Sequence, residues 1–102
     1  MSKYGLHGKL KATAGNGDQL AAILLEAAEL VAKAKGCHLY LIGKDKNDPD
    51  AVWVTEVWDS KEDHDNSLKA EDVRALIAKA IPILDGQPER GQELEILGGA
   101  GI

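Results

Sequence analysis

The chain has 102 residues, 44% hydrophobic and 28% charged, with a formal net charge of −5, which suits one globular domain with a single modest core. No apolar run approaches the roughly 20 residues needed to cross a bilayer, and an acidic chain lacks the basic face that duplex binding requires. Membrane and nucleic acid are therefore not expected partners, and the acidic excess of residues 47–102, thirteen Asp or Glu against five Lys or Arg, reads as solvated helix faces and loops.

Tyr4 to Thr13 alternates, with Tyr4, Leu6, Gly8, Leu10 and Ala12 on one side and Gly5, His7, Lys9 and Lys11 on the other, the period of a strand. AGNG makes a turn and Asp18 is placed to cap a helix, whose apolar positions Leu20, Ile23, Leu24, Ala27, Val31 and Ala34 recur at helical spacing up to Gly36. Two β-rich runs, His38–Lys44 and Ala51–Trp58, flank the turn-forming DKNDPD and should pair as a hairpin. Ser60 is a good N-cap for a short helix over Lys61–Ser67, where Glu62 and Asp63 suit the positive end of the helix dipole. Val73, Leu76, Ile77, Ala80 and Ile81 require another helix, ended or kinked at Pro82. Residues 93–97 (ELEIL) alternate as a last strand, and GGAGI, residues 98–102, is expected to be a flexible tail on a single domain of residues 1–97.

Strand, helix, strand, strand, helices, strand is the split βαβ order of an α+β ferredoxin-like sandwich, with helices on one face of the sheet. The other face would be bare, yet the middle strands are apolar on both sides: Val52, Val54 and Trp58 against Trp53 and Val57, and Leu39 and Leu41 against Tyr40 and Ile42. A large exposed apolar patch is unusual in a soluble monomer. A two-fold homodimer joined through sheet faces is the simplest cover, with Trp53 packed in its interface.

The order of elements, GC after the first helix, DP in the hairpin turn and above all EVWDSKEDHDNSLKAEDVRALI (residues 56–77) resemble the antibiotic biosynthesis monooxygenase superfamily, over about residues 4–97. The resemblance implies a dimeric ferredoxin-like fold. It does not fix the reaction, because members differ in chemistry. In one branch, haem-degrading, an Asn, a Trp and a His fall at Gly8, Ser67 and Ile77, none of which can replace them. In the branch that oxidises quinols or anthrones with molecular oxygen and no cofactor, the strand-end Trp matches Trp58, an aromatic hydroxyl falls at His64, and an Asn falls at Val54. The resemblance thus implies a small aromatic substrate, held by Leu6, Val54 and Ser67, with no metal or flavin.

Such chemistry needs a base to form an electron-rich anion and a dry pocket to keep it. His64 is one candidate, since imidazole can take a proton near neutrality; the bland alternative is a solvated surface histidine. Glu56 shares a strand face with Trp58, and a carboxylate among apolar neighbours is costly unless paired or protonated. It is therefore a base, a substrate ligand or half of an ion pair. Trp58 either stacks on a planar ring or is core. His7 and His38 have no companion at metal-ligand spacing, Cys37 and His38 should point to opposite faces of their strand, and the lone Cys37 reads as a small buried residue. Gly98–Gly101 lacks the strand-before, helix-after context of a phosphate loop. The amino-terminal MSKYGLHGKL has no secretory apolar segment and Cys37 has no internal disulfide partner, so a reducing cytoplasm is expected. The leading expectation is a cofactor-free monooxygenase; the alternatives are a non-catalytic small-molecule binding or interaction domain and an oxygen-independent isomerase.

Overall fold

The computed structural model describes residues 2–86 and 91–102. Strand β1 (Lys3–Lys11) leads to helix α1 (Gly17–Val31), then β2 (Cys37–Lys44) and β3 (Ala51–Trp58), helices α2 (Lys61–Ser67) and α3 (Glu71–Ala80), a 3-10 turn over Ile81–Ile83 that contains Pro82, and β4 (Gln92–Ile96). The strands form one antiparallel sheet in the order β2-β3-β1-β4. This is the expected ferredoxin-like α+β arrangement.

The expected element boundaries shift where tertiary bonds compete with local pattern. Strand β1 stops at Lys11 because Ala12 and Thr13 give their amide protons to the Asp50 and Ile83 carbonyls at 2.8 Å. Asp18 does not cap α1; it lies in the first turn and pairs with Lys44. The orphan amides are met from the hairpin turn instead, where the Asp50 carboxylate accepts from Gly17 at 3.1 Å and from Gly15 at 3.3 Å. Any side chain at Gly17 would strike the Pro49 carbonyl, so glycine lets the turn dock on the helix end. Helix α1 ends at Val31, short of Ala34, as Lys33 and Ala34 bond three residues back in the tighter 3-10 manner. Gly36 then takes a left-handed φ of 85°, and a Cβ there would strike the Asp63 carboxylate of α2. The α1–β2 turn and α2 are thereby held together.

Ser60 caps α2 as expected, its hydroxyl accepting from the Asp63 amide at 3.1 Å. The core gathers fully buried Leu20 and Val52 with Ala12 and Ala80, flanked by Leu10, Ile23, Leu24 and Ile42. At the opposite end of β3, Trp58 is also fully buried.

On the face away from the helices, ladder neighbours are Leu39, Val57, Gly5 and Leu94, and then Leu41, Thr55, His7 and Gln92. The chain supplies part of the cover itself. Val57 is only 5% exposed, and the Ile96 side chain lies over Gly5. The Trp53 ring stacks on His7 at 4.9 Å and gives its N–H to Asp45 at 3.1 Å. Leu41 and Leu94 remain exposed at 55% and 46%.

Candidate active site

Strand β3 places Val52, Val54, Glu56 and Trp58 on the helix side, opposite Leu10, Gly8, Leu6 and Tyr4 of β1. Across the hairpin, Tyr40 faces Glu56 and Ile42 faces Val54. Between this surface and helices α1 and α3 lies a cavity of about 470 Å³, a size ordinary for a small-molecule site. Its walls are aliphatic, with Leu24, Ala27, Leu76 and Ile77 among them; the polar side chains on them are Tyr40, Glu56 and Ser67. A smaller cavity of about 160 Å³ adjoins Leu6, Gly8 and Val54 and shares Leu10, Leu24, Tyr40 and Glu56 with the larger one. Tyr40 and Glu56 thus stand where the two spaces meet.

Glu56 is 8% exposed. Its one hydrogen bond among the described residues comes from the Trp58 indole N–H, 3.0 Å from Oε1. Nε2 of His64 lies 3.6 Å from the same oxygen, brought there because α2 turns back over the end of β3. Burial pushes the Glu56 carboxyl above its ordinary range, and this outweighs the opposite pull of the indole proton and of a charged His64. Burial also raises the Tyr40 hydroxyl, reinforced by a charged Glu56, so it stays a neutral donor. No hydrogen bond engages that hydroxyl among the described residues.

His64 is enclosed on several sides. Its ring meets Trp58 edge-on at 5.9 Å and Tyr4 at 5.7 Å between centroids, and Nδ1 lies 2.9 Å from Asp65 Oδ1. It is therefore not a solvated surface histidine: its side chain is 12% exposed. The Tyr4 hydroxyl donates to Glu93 at 2.9 Å, and its pKa is pushed up to about 12, first by burial and then by Glu93. Ser67 turns its hydroxyl onto the His64 carbonyl at 2.6 Å.

Glu56 and Trp58, read from the sequence as sharing a strand face, and His64, read separately as a candidate base, lie in one cluster here. Leu6 and Val54 line the small cavity and Ser67 the large one. Trp58 differs from the expectation of a ring that stacks on substrate: it has no exposed surface and borders neither cavity, and its contact with the site is the bond to Glu56. Tyr40 was not identified as a site residue from sequence. Its only sequence signal was an aromatic hydroxyl in an otherwise aliphatic run, whose facing the alternation could not decide.

Cys37 and His38 also depart from simple alternation, since β2 shifts register between Cys37 and Leu39. His38 Nε2 meets Asp59 Oδ1 at 2.5 Å, and burial raises the Cys37 thiol. His7 bonds Thr55 Oγ1 at 2.9 Å. Among the described residues no group of His, Cys, Asp and Glu side chains is arranged to hold a metal ion, and no helix is long and apolar enough to cross a membrane.

Residues 4–79 match the family described as antibiotic biosynthesis monooxygenase. A provisionally named antibiotic biosynthesis monooxygenase from Chloroflexus aurantiacus is 43% identical, with a TM-score of 0.87 over 98% of both chains. Two others bearing the same provisional name show likeness of fold alone. The one from Caulobacter crescentus is 20% identical, with a TM-score of 0.85 over 95% of this chain and 92% of that one. The one from Nitrosomonas europaea is 12% identical, with a TM-score of 0.86 over 93% and 90%. No curated protein matches the chain. The chain belongs to the antibiotic biosynthesis monooxygenase family.

Proposed function

We propose that this protein is a cofactor-free monooxygenase acting on a small aromatic quinol or anthrone in the cavity between sheet and helices. The observation that carries the reading is Glu56, a carboxyl fixed by an indole N–H in a mainly aliphatic chamber. A raised carboxyl pKa makes a stronger base, closer to what a weakly acidic phenol or activated methylene requires. Tyr40 donates to the oxygen on which charge develops, and His64 passes the proton onward. Leu6, Val54 and Ser67 shape the surrounding wall, while Trp58 orients Glu56.

The electron-rich anion gives one electron to dioxygen, and recombination of the radical pair forms a carbon–peroxide bond. Loss of the second hydrogen from that carbon with cleavage of the O–O bond leaves a carbonyl and, after proton return, water. Both reducing electrons come from substrate, so the reaction uses no metal or flavin. The family membership and the 43% identical neighbour's provisional name support an oxygenase of this general kind. The working unit is a homodimer through the outer sheet face, supported by Leu41 and Leu94, which stand exposed on that face, and a reducing cytoplasm suits its free Cys37.

Oxygen uptake with a panel of quinols and anthrones tests the activity. Glu56→Gln should lower turnover about 10²–10⁴-fold, the span of general-base loss, while quenching of tryptophan emission by ligand keeps nearly the same midpoint. Absence of both uptake and quenching across the panel would sink the reading. A second reading, a non-catalytic binding domain, draws on Val54, which offers no polar atom where the quinol-oxidising branch has Asn; it requires saturable quenching with no uptake. An isomerase would convert substrate equally well without oxygen.

A further inference from the structure

We infer that Asp65 is a positioning residue that holds His64 as the Nδ1–H tautomer, leaving Nε2 free to exchange a proton with Glu56 and linking the cavity to solvent. The inference deepens the proposed function and rests on its reading of Glu56 as the group that takes the substrate proton. The route is short: Glu56 Oε1 to His64 Nε2 at 3.6 Å, His64 Nδ1 to Asp65 Oδ1 at 2.9 Å, and Lys61 Nζ to Asp65 Oδ2 at 3.2 Å at the surface.

The chemistry of the partners sets which atom carries the proton in each contact. Hydrogen bonds from His64 and then Lys61 hold the Asp65 carboxyl below its usual range, so Asp65 is an anion at neutral pH. An ionised carboxylate only accepts. The proton in the Nδ1 contact therefore belongs to the ring, and the neutral imidazole has its lone pair on Nε2, the nitrogen facing Glu56. Burial favours the neutral acid form of Glu56, and that form has a proton to give.

The other groups around the ring do not compete for it. From β3, the Trp58 N–H is spent on Glu56; from β1, the Tyr4 hydroxyl is turned to Glu93 and stays neutral; within α2, the Ser67 hydroxyl is on the His64 carbonyl. Once His64 has taken the proton from Glu56 it is an imidazolium between two carboxyl groups. It can then release the Nδ1 proton to water at the half-exposed Asp65 side. The ring, left protonated at Nε2, returns through exchange with water to the Nδ1–H tautomer that Asp65 favours, which frees Nε2 for the next proton, and no bond to carbon or change of oxidation state is involved.

The test is ¹⁵N NMR of protein labelled in histidine, with His64→Asn identifying the His64 signals among three histidines, read at the pH where the ring is neutral. Wild type should show a protonated Nδ1 and a bare Nε2. Asp65→Ala should shift the ring toward protonated Nε2, and Asp65→Asn, which keeps a carbonyl acceptor, should restore Nδ1–H. A wild-type ring protonated at Nε2, or a tautomer unchanged by Asp65→Ala in a protein whose amide spectrum shows it folded, would overturn the inference. This readout needs no turnover, so its failure is separate from failure of the oxygenase reading. If turnover is present, Asp65→Ala should also move the pH profile of kcat, with KM little changed.

Discussion

Glu56 is where burial and chemistry conflict most directly. A carboxyl whose folded pKa lies above its unfolded value takes up protons on folding between the two, so its contribution is fully present below the unfolded value and is lost as pH rises through the folded one. The ordinary value is 4.5 and the folded one is higher. Thermal melts of wild type and Glu56→Gln should therefore diverge as pH rises from 4 toward neutrality, with the variant gaining relative stability. Equal differences at every pH would contradict the burial argument. The cluster of Glu56, Trp58 and His64 was legible in sequence because two of its members alternate along one strand and the third follows within one helix turn of the corner. Tyr40 was not, because β2 is apolar on both sides and only its pairing with β3 shows which side meets the helices. Trp58 was legible as a site residue but not as an enclosed one, since a sequence cannot show that Glu56 will claim its N–H.

Among the elements, existence and order were legible in the residues, while the ends were less so. The ends of β1 and α1 depend on Asp50 and Ile83, which are remote in sequence, so no local pattern could foretell them. Ser60 is the opposite case, a cap formed three residues away. Ser60→Ala should cost about 0.5–2 kcal/mol in urea unfolding, and because α2 carries His64 it should also lower turnover. Gly17→Ala should destabilise more than the helix propensity of alanine can offset, since it drives the Pro49 carbonyl off the α1 terminus. A variant as stable as wild type would show that the turn does not dock there.

For the whole molecule, the two-faced apolar pattern was legible, but the extent to which one chain covers its own outer face was not. His7 stacked on Trp53 and Ile96 laid over Gly5 are contacts between strands that only the sheet order brings together. Leu41 and Leu94 are left exposed on that face and belong to the dimer contact proposed above, for which the sequence reading had singled out Trp53. Light scattering should give twice the 10.9 kDa of one chain, falling to a single chain with Leu41→Lys and Leu94→Lys combined, whereas a wild-type monomer would remove the dimer from the proposal.

In the proposed reaction Glu56 draws a proton from a molecule that dioxygen then attacks. Mass spectrometry of product made under ¹⁸O₂ is the most direct measure. One labelled oxygen atom per product molecule from wild type, with Glu56→Gln yielding almost none, is the expected result; product free of label, or label incorporated equally by the two proteins, would contradict it.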